Sequence, residues 1–309
     1  MRQKKQLTIV MREVNPRRMD LPSGVFLDFS GPALIMAIVN CNEDSFYAPS
    51  RALREEAVEK ALLAEEDGAS IIDFGGESSR PGSSYISEEE ELDRVIPVIK
   101  CFRARSSLPV SVDTRKAAVA RAALDSGADI INDISALTDD SGMAGLCAGR
   151  GAAVVLMHKK GNPLTMQEAP SYGDMAGEIG TYLRTAADRA LAAGISPEKI
   201  IFDPGIGFGK SVSDNLQIIR RLAEICGKDY PVLVGLSRKS FIGEITGRCN
   251  AAHCNAAHCN AVQNAPGNLA GTLAANLAAI MNGADIIRVH DVKEHRDMVK
   301  MLFALNTGS

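Results

Sequence analysis

The sequence predicts a single closed (β/α)8 barrel of the TIM type, and two observations carry that prediction. A Gly-Ala pair followed by a short β-branched apolar run recurs at Gly68-Ala69, Gly127-Ala128, Gly151-Ala152 and Gly283-Ala284. Glycine just past a helix supplies the left-handed cap that turns the chain into a strand, so each copy marks a helix feeding a buried strand. Repeated joints of this kind build a parallel sheet. The second observation is number: with the remaining apolar runs, eight strands are predicted at about 34–40, 69–75, 108–113, 128–132, 152–158, 199–203, 230–236 and 284–290. Eight β-α units over roughly 250 residues is the size of a closed barrel, and an open doubly wound sheet is the structural alternative.

Amphipathic segments fill the intervals, as in 51–67, where Val58, Leu62 and Glu65-Glu66 fall on different faces. Residues 1–33 read as an N-terminal extension packing on the barrel, and 34–309 as the barrel, interrupted by a low-complexity insertion at about 249–264. There Cys-Asn-Ala-Ala-His repeats from Cys249; the adjacent His-Cys pairs lack zinc-ligand spacing, so a dispensable surface insertion is expected.

Bulk properties narrow the function. A net charge of -4 gives no footprint for nucleic acid or an anionic membrane. No apolar run reaches the length of a bilayer span, and Met1 to Asp20 lacks a signal-peptide core. Seven cysteines, three of them inside the repeat, form no disulfide framework. A cytoplasmic enzyme acting on small molecules is the expectation.

In a parallel barrel the site lies at the carboxyl ends of the strands. Here those ends carry Asn40, Asp73 with Glu77 beyond, Asp113, Asn132, His158, Asp203, Ser237 to Lys239, and Arg288 with His290. Capping of the following helices is the bland account of any one of them. Taken together, Asp113, Asn132 and Asp203 are acceptors for a heterocycle rich in N–H donors, while Arg288, His290 and Asn40 suit an anion. The run Asp203-Pro204-Gly205-Ile206-Gly207-Phe208-Gly209-Lys210-Ser211 ends like a phosphate loop, but Pro204 stands where that motif needs glycine. Its glycines more plainly let backbone and Phe208 approach a flat ligand. Lys239 lies between Arg238 and Ser240, a poor setting for a Schiff-base lysine, and reads as a hydrogen-bond donor.

Asn40-Cys41-Asn42-Glu43-Asp44-Ser45-Phe46, Gly75-Gly76-Glu77-Ser78-Ser79-Arg80-Pro81-Gly82, Ser111-Val112-Asp113-Thr114, Ile131-Asn132-Asp133-Ile134, Met157-His158, the 203–210 run, Gly235-Leu236-Ser237-Arg238-Lys239-Ser240 and Arg288-Val289-His290-Asp291-Val292 resemble, in order, the motifs of the dihydropteroate synthase family of pterin-binding barrels. That resemblance implies an enzyme of folate biosynthesis, the target of sulfonamides, joining a pterin-methyl diphosphate to 4-aminobenzoate. It implies pterin contacts from Asp113, Asn132, Met157, Asp203, Phe208 and Lys239. Diphosphate would be held by Asn40, Ser79, Arg80, Arg288 and His290, with Mg²⁺ on Asn40, and 4-aminobenzoate by Phe46, Pro81 and Ser240. Catalysis would fall to Lys239, Asp113, Arg288 and His290, in a homodimer. The first loop departs from the family: Asn42-Glu43 replaces Thr-Pro, and Tyr47 to Ser50 replaces Ser-Asp-Gly-Gly. Two rival readings are a methyltransferase with the same Asp-Asn-Asp cradle and a pterin-binding paralogue without activity.

Overall fold

The computed structural model describes residues 17–41, 50–78, 85–161, 171–247 and 268–307. A short antiparallel hairpin, β1 (Arg18–Asp20) and β2 (Phe26–Asp28), comes first. Eight parallel strands follow: β3 (Leu34–Asn40), β4 (Ile71–Gly75), β5 (Val110–Asp113), β6 (Ile130–Asp133), β7 (Ala153–Met157), β8 (Ile200–Asp203), β9 (Leu233–Gly235) and β10 (Ile286–Val289). They pair in chain order, and β10 also pairs with β3, so the sheet curls back on itself. The remaining seam, between β8 and β9, is closed by one parallel bridge from Phe202 to Val232, with the Phe202 amide donating to the Pro231 carbonyl at 2.9 Å. The open-sheet alternative is thereby excluded.

Helices α1 (Ser50–Glu66), α2 (Glu88–Arg103), α3 (Ala117–Asp125), α4 (Met143–Arg150), α5 (Met175–Ala192), α6 (Val212–Arg220), α7 (Leu222–Cys226), α8 (Ser240–Ile245), α9 (Leu269–Met281) and α10 (Val292–Thr307) surround the strands. At the four Gly-Ala joints the glycine φ is 100°, 99°, 60° and 106° in chain order. Each following alanine amide donates to the carbonyl five residues back, as Ala69 does to Ala64 and Ala284 to Ala279, both at 2.9 Å. This is the bond pattern of a Schellman cap, so the repeated dipeptide does what its chemistry predicts.

Successive side chains on a strand face opposite ways, and the two apolar clusters obey that period. Ile35, Ala37, Val39, Ile72, Phe74, Val154, Leu156, Phe202 and Val289 face outward into the layer shared with the helices. Met36, Ile71, Ile130, Val155, Ile201, Leu233 and Ile286 face the barrel axis. Met19, Leu21, Leu27 and Phe29 of the hairpin region join this inner cluster from the amino ends of the strands. Lys199 donates to the Asp20 carbonyl and the Ser23 amide to Asp129 Oδ1 (3.0 Å), tying the hairpin to the barrel floor. The barrel is filled from below, and what remains for a ligand is its carboxyl end.

The 249–264 insertion lies outside the described residues. Among those described, no helix is long and apolar enough to cross a membrane.

Candidate active site

One step above the inner apolar cluster, the same two-residue period places Asp73, Asn132, Met157, Asp203 and Arg288 toward the axis, with Asp113 two residues beyond Ser111. Arg288 is the hub. Its Nε donates to Asp73 Oδ2 at 2.6 Å and its Nη2 to Asp113 Oδ2 at 2.9 Å. Asn132 Nδ2 donates to the same Asp73 oxygen at 3.2 Å. Asp73 is fully buried, and its Oδ1, like the neighbouring Ser111 Oγ, has no hydrogen-bond partner.

Three carboxylates around one guanidinium are electrostatically tense. Burial pushes Asp113 up to about 7; Arg288 opposes that rise, while Asp73, Glu91 and Asp133 add to it. Burial likewise pushes Asp203 up to about 6, against the Gly205 amide, Lys239, Lys210 and Arg288. Burial also works against the charge of Arg288, but Asp73 and Asp113 outweigh it and hold the guanidinium above its ordinary value. Acceptors kept short of donors are poised for a ligand that brings N–H groups of its own.

The loop after β8 forms one wall. Gly205 and Gly209 have φ of 68° and 65°, and a Cβ on them would stand 1.8 Å from the His158 carbonyl oxygen and 2.2 Å from that of Lys160, so only glycine lets this loop lie on the 158–160 segment. Lys210 is buried behind it, donating to the Phe208 carbonyl and to His158 Nδ1, each at 3.0 Å. Burial brings Lys210 down to about 7, and burial together with Lys210 brings His158 down to about 3. A neutral His158 accepting from Lys210 satisfies both. The lysine of the phosphate-loop look-alike is thus an internal brace. In front of the loop, Lys239 Nζ lies 4.3 Å from the centre of the Phe208 ring, and Met157 stands beside Asp203 in strand register.

The end of β9 is cross-tied to the end of β10. Ser237 Oγ meets the His290 amide (3.2 Å) and His290 Nδ1 (3.0 Å), and Arg238 Nη2 donates to Asp291 Oδ1 at 2.6 Å. Asn40 is exposed at the end of β3, and Ser240 is exposed at the start of α8. Among the site residues the sequence singles out, Asp113, Asn132, Arg288, Asp203, Met157, Phe208 and Lys239 therefore converge, and His290 borders them. Arg288 is turned toward Asp73 and Asp113, while the His290 ring meets Ser237. Phe46, Ser79, Arg80 and Pro81 lie outside the described residues.

Sequence reasoning gave Asp73 a strand end but no role, and it missed Lys210 as a brace and Asp291 as a partner. Period-two alternation alone could have nominated Asp73, because it shares its face with Ile71. His158, taken as a strand end, follows β7 and packs against Tyr182 at 4.9 Å instead of opening on the axis. Asp133, at the end of β6, braces the turn that follows: its carboxylate accepts from the Ser135 and Leu137 amides at 2.7 and 2.9 Å.

Comparison with known proteins agrees with this geometry. The sequence profile of the family described as pterin binding enzyme matches residues 36–290. A dihydropteroate synthase from Escherichia coli is 42% identical over 282 residues, which is 91% of this chain and 94% of that protein. One from Synechocystis is 40% identical over 287 residues, covering 92% and 94%. Among solved structures, Xanthomonas albilineans dihydropteroate synthase with 4-aminobenzoic acid superposes with a TM-score of 0.81 at 40% identity, covering 94% of this chain and 98% of that one. The same enzyme in complex with 7,8-dihydropteroate gives a TM-score of 0.78 at 38% identity, covering 94% and 98%.

Proposed function

Because the chain belongs to the dihydropteroate synthase family of pterin-binding enzymes, we propose a division of labour for its barrel mouth in the family reaction. The chain is a transferase that condenses (7,8-dihydropterin-6-yl)methyl diphosphate with 4-aminobenzoate, giving 7,8-dihydropteroate and diphosphate.

The observation that carries the assignment of roles is the acceptor-rich axis. Asp203 takes the parallel amide and amine donors of the pterin edge; Asn132 and Asp113 read the remaining ring nitrogens. Lys239, held over Phe208, donates to the carbonyl side, and Met157 with Phe208 lines the flat slot. On the anionic side, Arg288 and His290 hold the diphosphate with Asn40, joined by Ser79 and Arg80, while Phe46, Pro81 and Ser240 form the aminobenzoate pocket.

The chemistry follows from those charges. The methylene C–O bond breaks with its electron pair leaving on diphosphate, and the electron-rich dihydropterin carries the resulting positive charge. Asp113 and Asp203 stabilise that charge from below, where burial weakens screening by solvent. The lone pair of the uncharged aromatic amine then forms the C–N bond, and the nitrogen gives up its proton to solvent or to the departing diphosphate. No strong base is needed when the nucleophile is neutral and held close. Lys239, Asp113, Arg288 and His290 thus act by orienting and neutralising, and the closed barrel floor keeps water out from beneath.

Mg²⁺ fits the donor set. Among the described residues no group of three or more His, Cys, Asp and Glu side chains is placed to cage a metal. Mg²⁺ ordinarily takes one or two protein oxygens and fills its shell with water and substrate phosphate, which suits the single exposed amide oxygen of Asn40. When bound there, it supplies charge neutralisation for the diphosphate.

A second copy of the chain is the partner we assign. Helix α9 has the sequence LAGTLAANLAAIM, with no charged residue, and its neighbour α10 exposes Met301 and Leu305 at 59% and 66%. An apolar surface on adjacent helices suits an isologous dimer. The cytoplasm is the compartment assigned, in keeping with Cys41, Cys101 and Cys147 standing as thiols among the described residues.

The test is diphosphate release measured with each substrate alone and with both, with and without Mg²⁺. Release that requires both substrates and the metal is expected. Release from the pterin alone at the full rate, or none at all, overturns the proposal. Light scattering on the parent and Leu305→Glu tests the dimer, with a parent monomer as the contrary result.

A further inference from the structure

Arg238 holds a φ of 58°, in the left-handed region that side chains other than glycine rarely adopt. It stands between Ser237 and Lys239, where a change of backbone conformation would redirect both neighbours. A strained residue beside a site persists only where its surroundings impose the strain. Here they do so from three directions.

The guanidinium donates to both oxygens of Asp291, Nη2 to Oδ1 at 2.6 Å and Nε to Oδ2 at 3.4 Å. The Arg238 amide points at Thr272 Oγ1, 3.4 Å away on α9. One residue earlier, Ser237 is tied to His290. Asp291 is itself held: its carbonyl oxygen accepts from the His295 amide at 3.3 Å and meets His295 Nδ1 at 2.6 Å. His295 is fully buried, which lowers its pKa and favours the neutral ring, and because the Asp291 carbonyl can only accept, the proton belongs on Nδ1. Its Nε2 then accepts from Asn276 Nδ2 at 3.0 Å. Thr272 and Asn276 stand one helical turn apart, both fully buried, on the otherwise apolar α9. A chain of hydrogen bonds thus runs from α9 through α10 to the loop that carries Lys239 and Ser240.

We propose that Asp291 is a positioning residue for both substrates: acting through Arg238, it holds the left-handed turn that lays Lys239 over Phe208 and sets Ser240 at the head of α8. The inference rests on the roles given above to Lys239 and Ser240. Asp291 touches neither substrate itself.

Steady-state kinetics in each substrate, with melting curves, test it on the wild type, Asp291→Ala and Asp291→Asn. Asp129→Asn serves as a control, because Asp129 pairs with Arg103 at the opposite end of the barrel. Asp291→Ala should raise KM for both substrates tenfold or more while kcat falls less than threefold. Asp291→Asn, which keeps one acceptor for the guanidinium, should raise both KM values about threefold to fivefold. The control should melt earlier with both KM values within twofold of wild type. Unchanged KM values in Asp291→Ala, or a loss confined to kcat or to melting temperature, overturn the proposal. Should the alanine variant fail to fold, Asp291→Asn decides alone, unchanged KM values being the contrary result. A wild type that releases no diphosphate sinks the functional reading beneath it, whereas wild-type turnover with unmoved KM in the variants sinks this inference only.

Discussion

The two ends of the barrel handle buried charge in opposite ways. At the floor, Asp129 is fully buried, yet both its oxygens are engaged: Arg103 and the Val110 amide on Oδ2, the Ser23 amide on Oδ1. At the mouth, Asp73 leaves Oδ1 without a partner, and burial pushes Asp113 and Asp203 toward neutrality despite the donors they have. The same residue type is finished at one end and unfinished at the other. A buried acceptor short of donors is costly, so a fold keeps it only where something else supplies them. With the roles proposed above, the difference separates residues serving the fold from residues serving the ligand.

The sharpest test of that contrast is Asp129→Asn. Removing one partner of a buried pair typically costs about 3–5 kcal/mol. Denaturant unfolding should show a loss of that size while pterin affinity, measured by calorimetry, stays within twofold. A variant that unfolds no more easily would mean the floor pair is ornamental. Asp203→Asn should do the reverse: an amide presents a donor where the pterin also has one, and affinity should fall at least about 100-fold, in line with the few kcal/mol of paired charge-assisted bonds. Its unfolding should barely change. Unaltered pterin binding would remove Asp203 from the slot.

The smallest effect concerns pH. Asp113 titrates near 7 in the folded protein and near 3.9 in an unfolded chain. Between those values the folded state binds more protons than the unfolded one, so the contribution of this group to stability is present below about 4 and is lost as pH rises through 7. Asp113→Asn removes that loss. Without ligand, the variant should melt a few degrees above the parent at pH 8, since one kcal/mol shifts such transitions by roughly 2–4 °C, with little difference at pH 4. It should also bind pterin more weakly. A variant less stable than the parent at pH 8 would show that Asp113 is needed to neutralise Arg288, and the contrast between the two ends would lose one of its members.

The barrel was legible because its signals are local. A glycine cap followed by a β-branched run needs no knowledge of the rest of the chain, and four such joints fixed where strands begin. The ring of site residues was legible for a related reason, since a strand that ends in Asp or Asn announces it in a few letters. Partnerships were not legible. Asp73 and Arg288 meet across 215 residues of sequence, and Arg238 and Asp291 across 53. Periodicity says which way each points but not what it finds there. Lys210 shows the limit most plainly: Pro204 ruled out a phosphate loop, but only packing shows that the lysine is sealed against His158.

The hairpin at the floor bears on how the molecule is made. Met19, Leu21, Leu27 and Phe29 leave the ribosome before any barrel strand, yet their seat includes Leu233 of β9 and Ile286 of β10, among the last strands synthesised. Through nearly the whole of translation these apolar side chains have nothing complete to dock on, and contacts so distant along the chain form slowly. Docking of the hairpin therefore belongs among the late steps of folding, and chaperone demand should concentrate on a segment of barely a dozen residues.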